Sequence, residues 1–255
     1  MNPRSALALG CFFSAILCLE GISWLLNHAE PSPDRLLWIG LFSQGVWVCA
    51  AIGGAAVARS APLRDRLGLA PSTLSPGSFI VLLLGFVIFS HGLHQLLGVL
   101  QLRDAGALAR IDGAVAAAAQ GPSLLLAVVA FGLAPGLGEE LLFRGLIQRA
   151  LARRFAAGIA IGVASGLFAL AHGDRIHSSA AFPLGLYLGL VAHLGRSVKP
   201  AIACHVANNC LGLVALASGA SLWVSGGLGS ALASLGLGVA LVIGVSWRQG
   251  CTAGQ

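Results

Sequence analysis

Eight runs of mostly apolar residues follow one another along this chain, each near the ~20 residues a helix needs to cross a bilayer. They lie at 6–27, 37–58, 78–100, 122–150, 157–172, 180–195, 200–218 and 224–246. Lipid offers no partner for a bare N–H or C=O, so only helices and closed barrels span it. Barrel strands need only about 10 residues, so runs of this length specify helices. Composition agrees: 57% of the 255 residues are hydrophobic and 9% charged, whereas a soluble domain carries about 25% charged residues. The expected fold is all-α, a polytopic membrane helix bundle of about eight transmembrane helices. One integral domain covers 1–255, and no soluble domain of useful size is left over.

Charge sets the topology. Arg4, Arg59, Arg64, Arg66, Arg149, Arg153, Arg154, Arg196, Lys199 and Arg248 fall in one alternate set of inter-span segments; Arg35, Arg103, Arg110 and Arg175 fall in the other. Ten against four places the first set, and with it both termini, in the cytoplasm. The net charge of +6 is spread singly or in short groups between apolar runs, so it marks orientation and no nucleic-acid partner is expected. The six cysteines include no CxxC pair, and five sit in apolar runs as small packing residues. The first run has no small-x-small cleavage site and reads as a retained helix. Loop breakers fall between runs at Pro31, Pro33, Pro71 and Pro76 and in the first residues of runs at Pro122, Pro183 and Pro200.

Glu139, Glu140 and Arg144 interrupt the fourth run, in a chain with only nine acidic residues. A charge at bilayer depth costs roughly 2.5–3.5 kcal/mol, so such groups pair with one another or face a cavity. Glu140 and Arg144 stand at i and i+4 with the acid first, the favourable order for an ion pair on one helix face. Glu139 is rotated by about 100° and has no obvious local partner, which makes it the better candidate for a base. The run is about 30 residues long, and Pro135–Gly136 predicts a kink or local unwinding just before the acids.

The same spacing recurs twice. Phe168 and His172 carry it in the fifth run, His205 and Asn209 in the seventh. Taken singly, each histidine or asparagine is a packing or interhelical hydrogen-bonding residue. Together with an acidic pair they supply a base, water-orienting groups and oxyanion donors, the set needed to hydrolyse an acyl bond.

In this order the three motifs, Glu139-Glu140-Leu-Leu-Phe-Arg144, Phe168-Ala-Leu-Ala-His172 and His205-Val-Ala-Asn-Asn209, resemble those of the CPBP intramembrane endopeptidases. That family includes the CAAX prenyl endopeptidases and bacterial Abi proteins. The resemblance covers roughly 125–215. It implies an eight-helix glutamic intramembrane protease with its site in a cavity open to the cytoplasm. Carried over by position, Glu139 is the general base holding the attacking water with His172. His205 and Asn209 stabilise the oxyanion, Glu140 and Arg144 orient the site, and Phe168 contacts substrate. A metal-free mechanism fits best, since HExxH is absent. Zinc is the alternative, with Glu139, His172 and His205 as its three ligands.

The implied substrate is a membrane-associated protein or peptide cut near its tethered or C-terminal segment, and the implied partners are that substrate and membrane lipid. The location is the cytoplasmic (inner) membrane. Two other readings stand beside this one: a non-catalytic immunity or chaperone module that keeps the motifs, and a proton-coupled transporter using the buried acids. The transporter predicts polar groups spread along a path through several helices. Ser90, His91 and His94 read as interhelical hydrogen-bonding groups, Glu20 and His193 as interfacial, and Asp174, Arg175 and His177 as a solvated loop. One conflict follows from upright spans: at 1.5 Å per residue His172 lies about 23 Å from the face at which its run begins, His205 only about 8 Å from the same face.

Overall fold

A computed structural model describes residues 3–28, 34–57, 61–102, 106–218 and 226–253. Pro31, Pro33, Arg59 and Arg103, used above as loop or topology markers, lie outside the described residues. The helices are α1 (Pro3–His28), α2 (Arg35–Val57), α3 (Pro76–Val99), α4 (Gly106–Ala119), α5 (Leu124–Ala152), α6 (Ala157–Leu170), α7 (Arg175–Leu194), α8 (Lys199–Ala217) and α9 (Leu228–Ala253), with a single turn at Leu63–Arg66. No strand occurs among the described residues.

The chain is a helical membrane bundle. Among the described residues α2, α3, α5, α8 and most of α9 are long and apolar enough to cross a bilayer, and Ala6–Gly21 and α6 are shorter apolar helices. The expected fifth span is thus only 14 residues long. At 1.5 Å per residue it covers roughly 21 Å, less than the ~30 Å hydrocarbon core. Conversely, α4 was not expected from the sequence. Its Leu108, Ile111 and Val115 recur at helical spacing and face the bundle interior, a short amphipathic signal too brief to read as a span.

Local chemistry explains the helix ends. Ser75 caps α3 by accepting the Ser78 N–H, with Pro76 at the first helical position where its missing N–H costs nothing. Asp174 caps α7, its carboxylate accepting the N–H groups of Ile176 and His177. The kink or local unwinding expected at Pro135–Gly136 takes the form of helix widening beside it, and α5 runs through the pair without interruption. Val128–Leu133 forms a π-helical segment just before the proline, and Leu141–Gln148 forms a second just after the acids. Proline cannot donate to the ladder and its ring crowds the preceding turn, so a widened turn upstream absorbs the defect without interrupting the helix.

Two apolar clusters flank a central seam. One joins α1, α2, α5 and α6 through an aromatic succession: Phe12 stacks on Trp47, Trp47 meets Phe143 edge-on at 5.8 Å, and Phe143 meets Phe168 at 5.3 Å. The other joins α3, α7, α8 and α9 around Phe86, Phe89 and Tyr187. The buried Tyr187 hydroxyl donates to the Leu82 carbonyl at 3.1 Å, so the ring's polar end is satisfied. Replacing Tyr187 by phenylalanine should lower thermal stability by about 1 kcal/mol, measured by unfolding in detergent, since a single neutral hydrogen bond is lost and the ring packing kept.

Candidate active site

Between the two clusters lies a cavity of about 440 Å³, lined by residues of α1–α5, α7 and α8 and by the end of α6. Glu139, Phe168, His172, His205 and Asn209 all line it. Glu140 and Arg144 sit behind that wall, fully buried. All seven residues singled out in the sequence are therefore brought together.

Burial of the charges is handled by dense pairing. Arg144 Nη1 donates to Glu140 Oε1 at 2.7 Å, as the i, i+4 spacing implied, with neither side chain exposed. Arg144 Nη2 donates to the Gly185 carbonyl at 2.9 Å, and the guanidinium lies 4.4 Å from the centroid of the Phe168 ring. One helical turn on, Gln148 Nε2 donates to the Gly189 carbonyl at 3.0 Å. A carbonyl has two lone pairs, so both can accept these bonds as well as their helical ones, and α5 is locked onto α7 by two rungs.

His205 completes the arrangement. Its Nδ1 lies 2.9 Å from Glu140 Oε1, the same oxygen that takes Arg144, and its Nε2 points to Glu139 Oε2 at 3.9 Å. The second distance is too long for a direct hydrogen bond but leaves both atoms within reach of one shared water. His172 is fixed differently: Nδ1 lies 2.8 Å from the Phe168 carbonyl oxygen. A carbonyl only accepts, so Nδ1 carries the proton and Nε2 is left as an acceptor. The depth conflict expected of upright spans is absent, because both imidazoles pack on Phe168, at 4.8 and 6.2 Å between ring centroids.

Three findings went beyond the sequence. Glu139 does have a partner: Gln44 Nε2 on α2 donates to its Oε1 at 2.9 Å, across 95 residues. The signal was a lone glutamine midway along an otherwise apolar helix, a costly group unless it has a job. His177, read as solvated, instead packs edge-on against His172 at 4.2 Å and lines the cavity. His94 lines it as well.

Two glycines make this convergence sterically feasible. A Cβ on Gly136 would lie 3.0 Å from the Val206 backbone nitrogen, and one on Gly138 would lie 2.9 Å from the Gln44 carbonyl oxygen. Gly136 thus admits α8, which carries His205, and Gly138 admits α2, which carries Gln44. The run Pro135-Gly136-Leu137-Gly138 before the acids is a packing device for their two partners.

Residues 121–211 match a family model, Rce1-like, described as type II CAAX prenyl endopeptidase Rce1-like. This is the family that the three motifs implied, and the matched segment contains all seven of their residues. Gln44 lies outside it. No curated protein and no solved structure matches the chain.

Among the described residues no three His, Cys, Asp or Glu side chains are grouped to hold a metal ion. Glu139, His172 and His205 face one cavity without forming a ligand cluster, so no step below is routed through a metal.

Three outcomes follow from this geometry. Arg144→Ala strands the buried Glu140 carboxylate and should destabilise the fold by about 3–5 kcal/mol, seen as loss of folded protein or a large fall in unfolding temperature. Gly138→Ala should cost about 1–3 kcal/mol by pushing α2 away. Gly162→Ala on α6, whose Cβ would meet nothing within 4 Å, should leave stability unchanged or raise it in the same thermal assay.

Proposed function

We propose that this protein is an intramembrane endopeptidase that hydrolyses a peptide bond with a water activated by Glu139. The observation that carries the reading is the division of labour between adjacent acids. Glu140 is consumed by Arg144 and His205, whereas Glu139 has one oxygen held by Gln44 and the other turned to the cavity and His205. The match to an endopeptidase family over 121–211 supports the same reading.

In this mechanism Glu139 Oε2 takes a proton from a water that His172 Nε2 also holds, and the hydroxide adds to the peptide carbonyl carbon. His205 Nε2–H and the Asn209 side-chain amide donate to the resulting oxyanion. For that, His205 carries protons on both nitrogens, with Nδ1–H directed to Glu140. Collapse of the tetrahedral species breaks the C–N bond, and the proton on Glu139 passes to the leaving amine. Gln44 fixes the rotamer of Glu139, so that its free oxygen faces the water. Phe168, almost wholly buried, carries both imidazoles and Arg144 on its ring and presents only an edge to substrate.

The apolar lining suits a substrate that arrives within the bilayer, a protein or peptide precursor cut near its tethered or C-terminal segment. The excess of basic residues in one set of inter-span segments supports a cytoplasmic side for both termini. The polar groups converge on a single cavity instead of marking a path through several helices, which favours the hydrolase over the transporter.

The test uses purified protein in liposomes with a panel of membrane-anchored peptides. Glu139→Gln, His172→Ala and His205→Ala should each abolish cleavage while the protein stays folded, and chelators should leave the wild type active. Gln44→Leu should lower kcat about 10- to 100-fold, the worth of a hydrogen bond to a charged group, with little change in KM. Normal turnover by Glu139→Gln would overturn the mechanism.

A further inference from the structure

A second cavity, of about 640 Å³, lies at the arginine-rich end of the bundle and is not part of the site above. Arg149 and Arg153 from the end of α5 line it, together with His193 and Arg196 from the end of α7 and the following turn. No aspartate or glutamate does. Its inner end is formed by the buried side chains of Arg144 and Gln148.

Scattered cytoplasmic arginines are expected of any such protein, and arginines near helix C-termini commonly cap carbonyls. These behave otherwise. The side chains of Arg153 and Arg196 make no hydrogen bond or ion pair among the described residues. Arg149 is clamped from the side: Nη2 donates to the Asp65 carbonyl at 3.1 Å, and the left-handed Gly68 (φ +69°) lies against its side chain. A Cβ at Gly68 would stand 3.0 Å from Arg149 Cδ, and its positive φ itself favours glycine. The Nε atoms of Arg149 and of the almost wholly buried Arg144 have no acceptor.

Arg196 adds an independent sign of construction. It is one of two non-glycine residues with positive φ among those described, at +49°. Such a conformation costs of order 1–3 kcal/mol and persists only where the surroundings enforce it. They do so here. Val198 N–H and the Ser197 hydroxyl donate to the Gly68 carbonyl, Ser197 also bonds the Ala70 carbonyl, and Thr73 N–H donates to the Gly195 carbonyl. The 195–198 turn is thereby bolted to the 67–73 loop, and the same loop holds Arg149. Arg196 is thus the left-handed residue that ends α7, closed by Ser197 N–H donating to the Ala192 carbonyl. The turn sets its cation beside two others, with unpaired guanidinium donors at their base, an arrangement suited to an anion.

We propose that this cavity binds a phosphate group, supplied by the headgroup of an anionic phospholipid. Guanidinium groups match phosphate geometry, and basic pockets between helix ends at the membrane surface are where lipid headgroups are held. The apolar residues of the lining, Ala152, Ala192, Leu194 and Val198, give the rest of a lipid a surface. Through Arg144 the bound phosphate sits one side chain away from Glu140, so occupancy stabilises the helix that carries both acids.

The experiment reads binding, not cleavage, so it stands or falls apart from the peptidase reading. Wild type, Arg153→Gln/Arg196→Gln and Arg196→Gly are placed in phosphatidylcholine nanodiscs, alone, with phosphatidylglycerol, or with inorganic phosphate. Unfolding temperature and retained lipid by native mass spectrometry are measured. Phosphatidylglycerol should stabilise the wild type and remain bound. At roughly fivefold per arginine the double variant should bind about 25-fold more weakly. Arg196→Gly is the decisive arm: glycine relieves the backbone, so the protein should fold at least as well as wild type, yet bind phosphatidylglycerol about fivefold more weakly. Unchanged retention in both variants would overturn the proposal. So would equal stabilisation by millimolar inorganic phosphate, which would make the ligand a soluble anion.

Discussion

The ion pair between Glu140 and Arg144 is the constraint to which the rest of the molecule is fitted. Two full charges at zero exposure are costly, and such a pair persists only with excellent geometry and further hydrogen bonds. Arg144 therefore reaches the Gly185 carbonyl and the face of Phe168, and Glu140 takes a second donor from His205. Each of these partners comes from a different helix. Satisfying one buried pair thus fixes α6, α7 and α8 around α5, and the cavity is the space those helices leave.

The neighbouring acid is held differently. Glu139 is held lightly, by one neutral amide, and keeps an oxygen toward the cavity. Adjacent residues on a helix point about 100° apart, so one carboxylate is taken up by buried pairing while the other lines the cavity, without distance between them. The π-helical segments on either side have the same logic. They let a helix with a central proline continue and present Arg144 and Gln148 to α7 together.

The site was legible where its geometry is local. The Glu140–Arg144 pair follows from i, i+4 spacing on one helix, and the freedom of Glu139 from its rotation off that face. The two histidine motifs could be recognised by residue type and order, and the family match over 121–211 agrees. What stayed hidden involved distant partners. Gln44 lies 95 residues from Glu139, and nothing in the α2 sequence says which way a single glutamine points. His177 looked like a loop residue because capping by Asp174, which begins α7 ahead of it, depends on one φ/ψ choice. Helix α4 was missed because three apolar positions over two turns are too few to separate it from a polar loop.

The sequence by itself determined the class of fold and singled out the polar residues that gather around one cavity. Apolar runs of bilayer length admit only helices, and charges placed within them must be kept for a reason. Only the tertiary structure decided how those groups are wired: that Glu140 bonds His205 as well as Arg144, that Gln44 bonds Glu139, and that Arg196 meets Arg149 and Arg153 in one basic cavity. The physical reason is that spacing along a helix is set by 3.6 residues per turn and can be read from the chain. Contacts between helices depend on where glycines let backbones approach, and that is settled by packing in three dimensions.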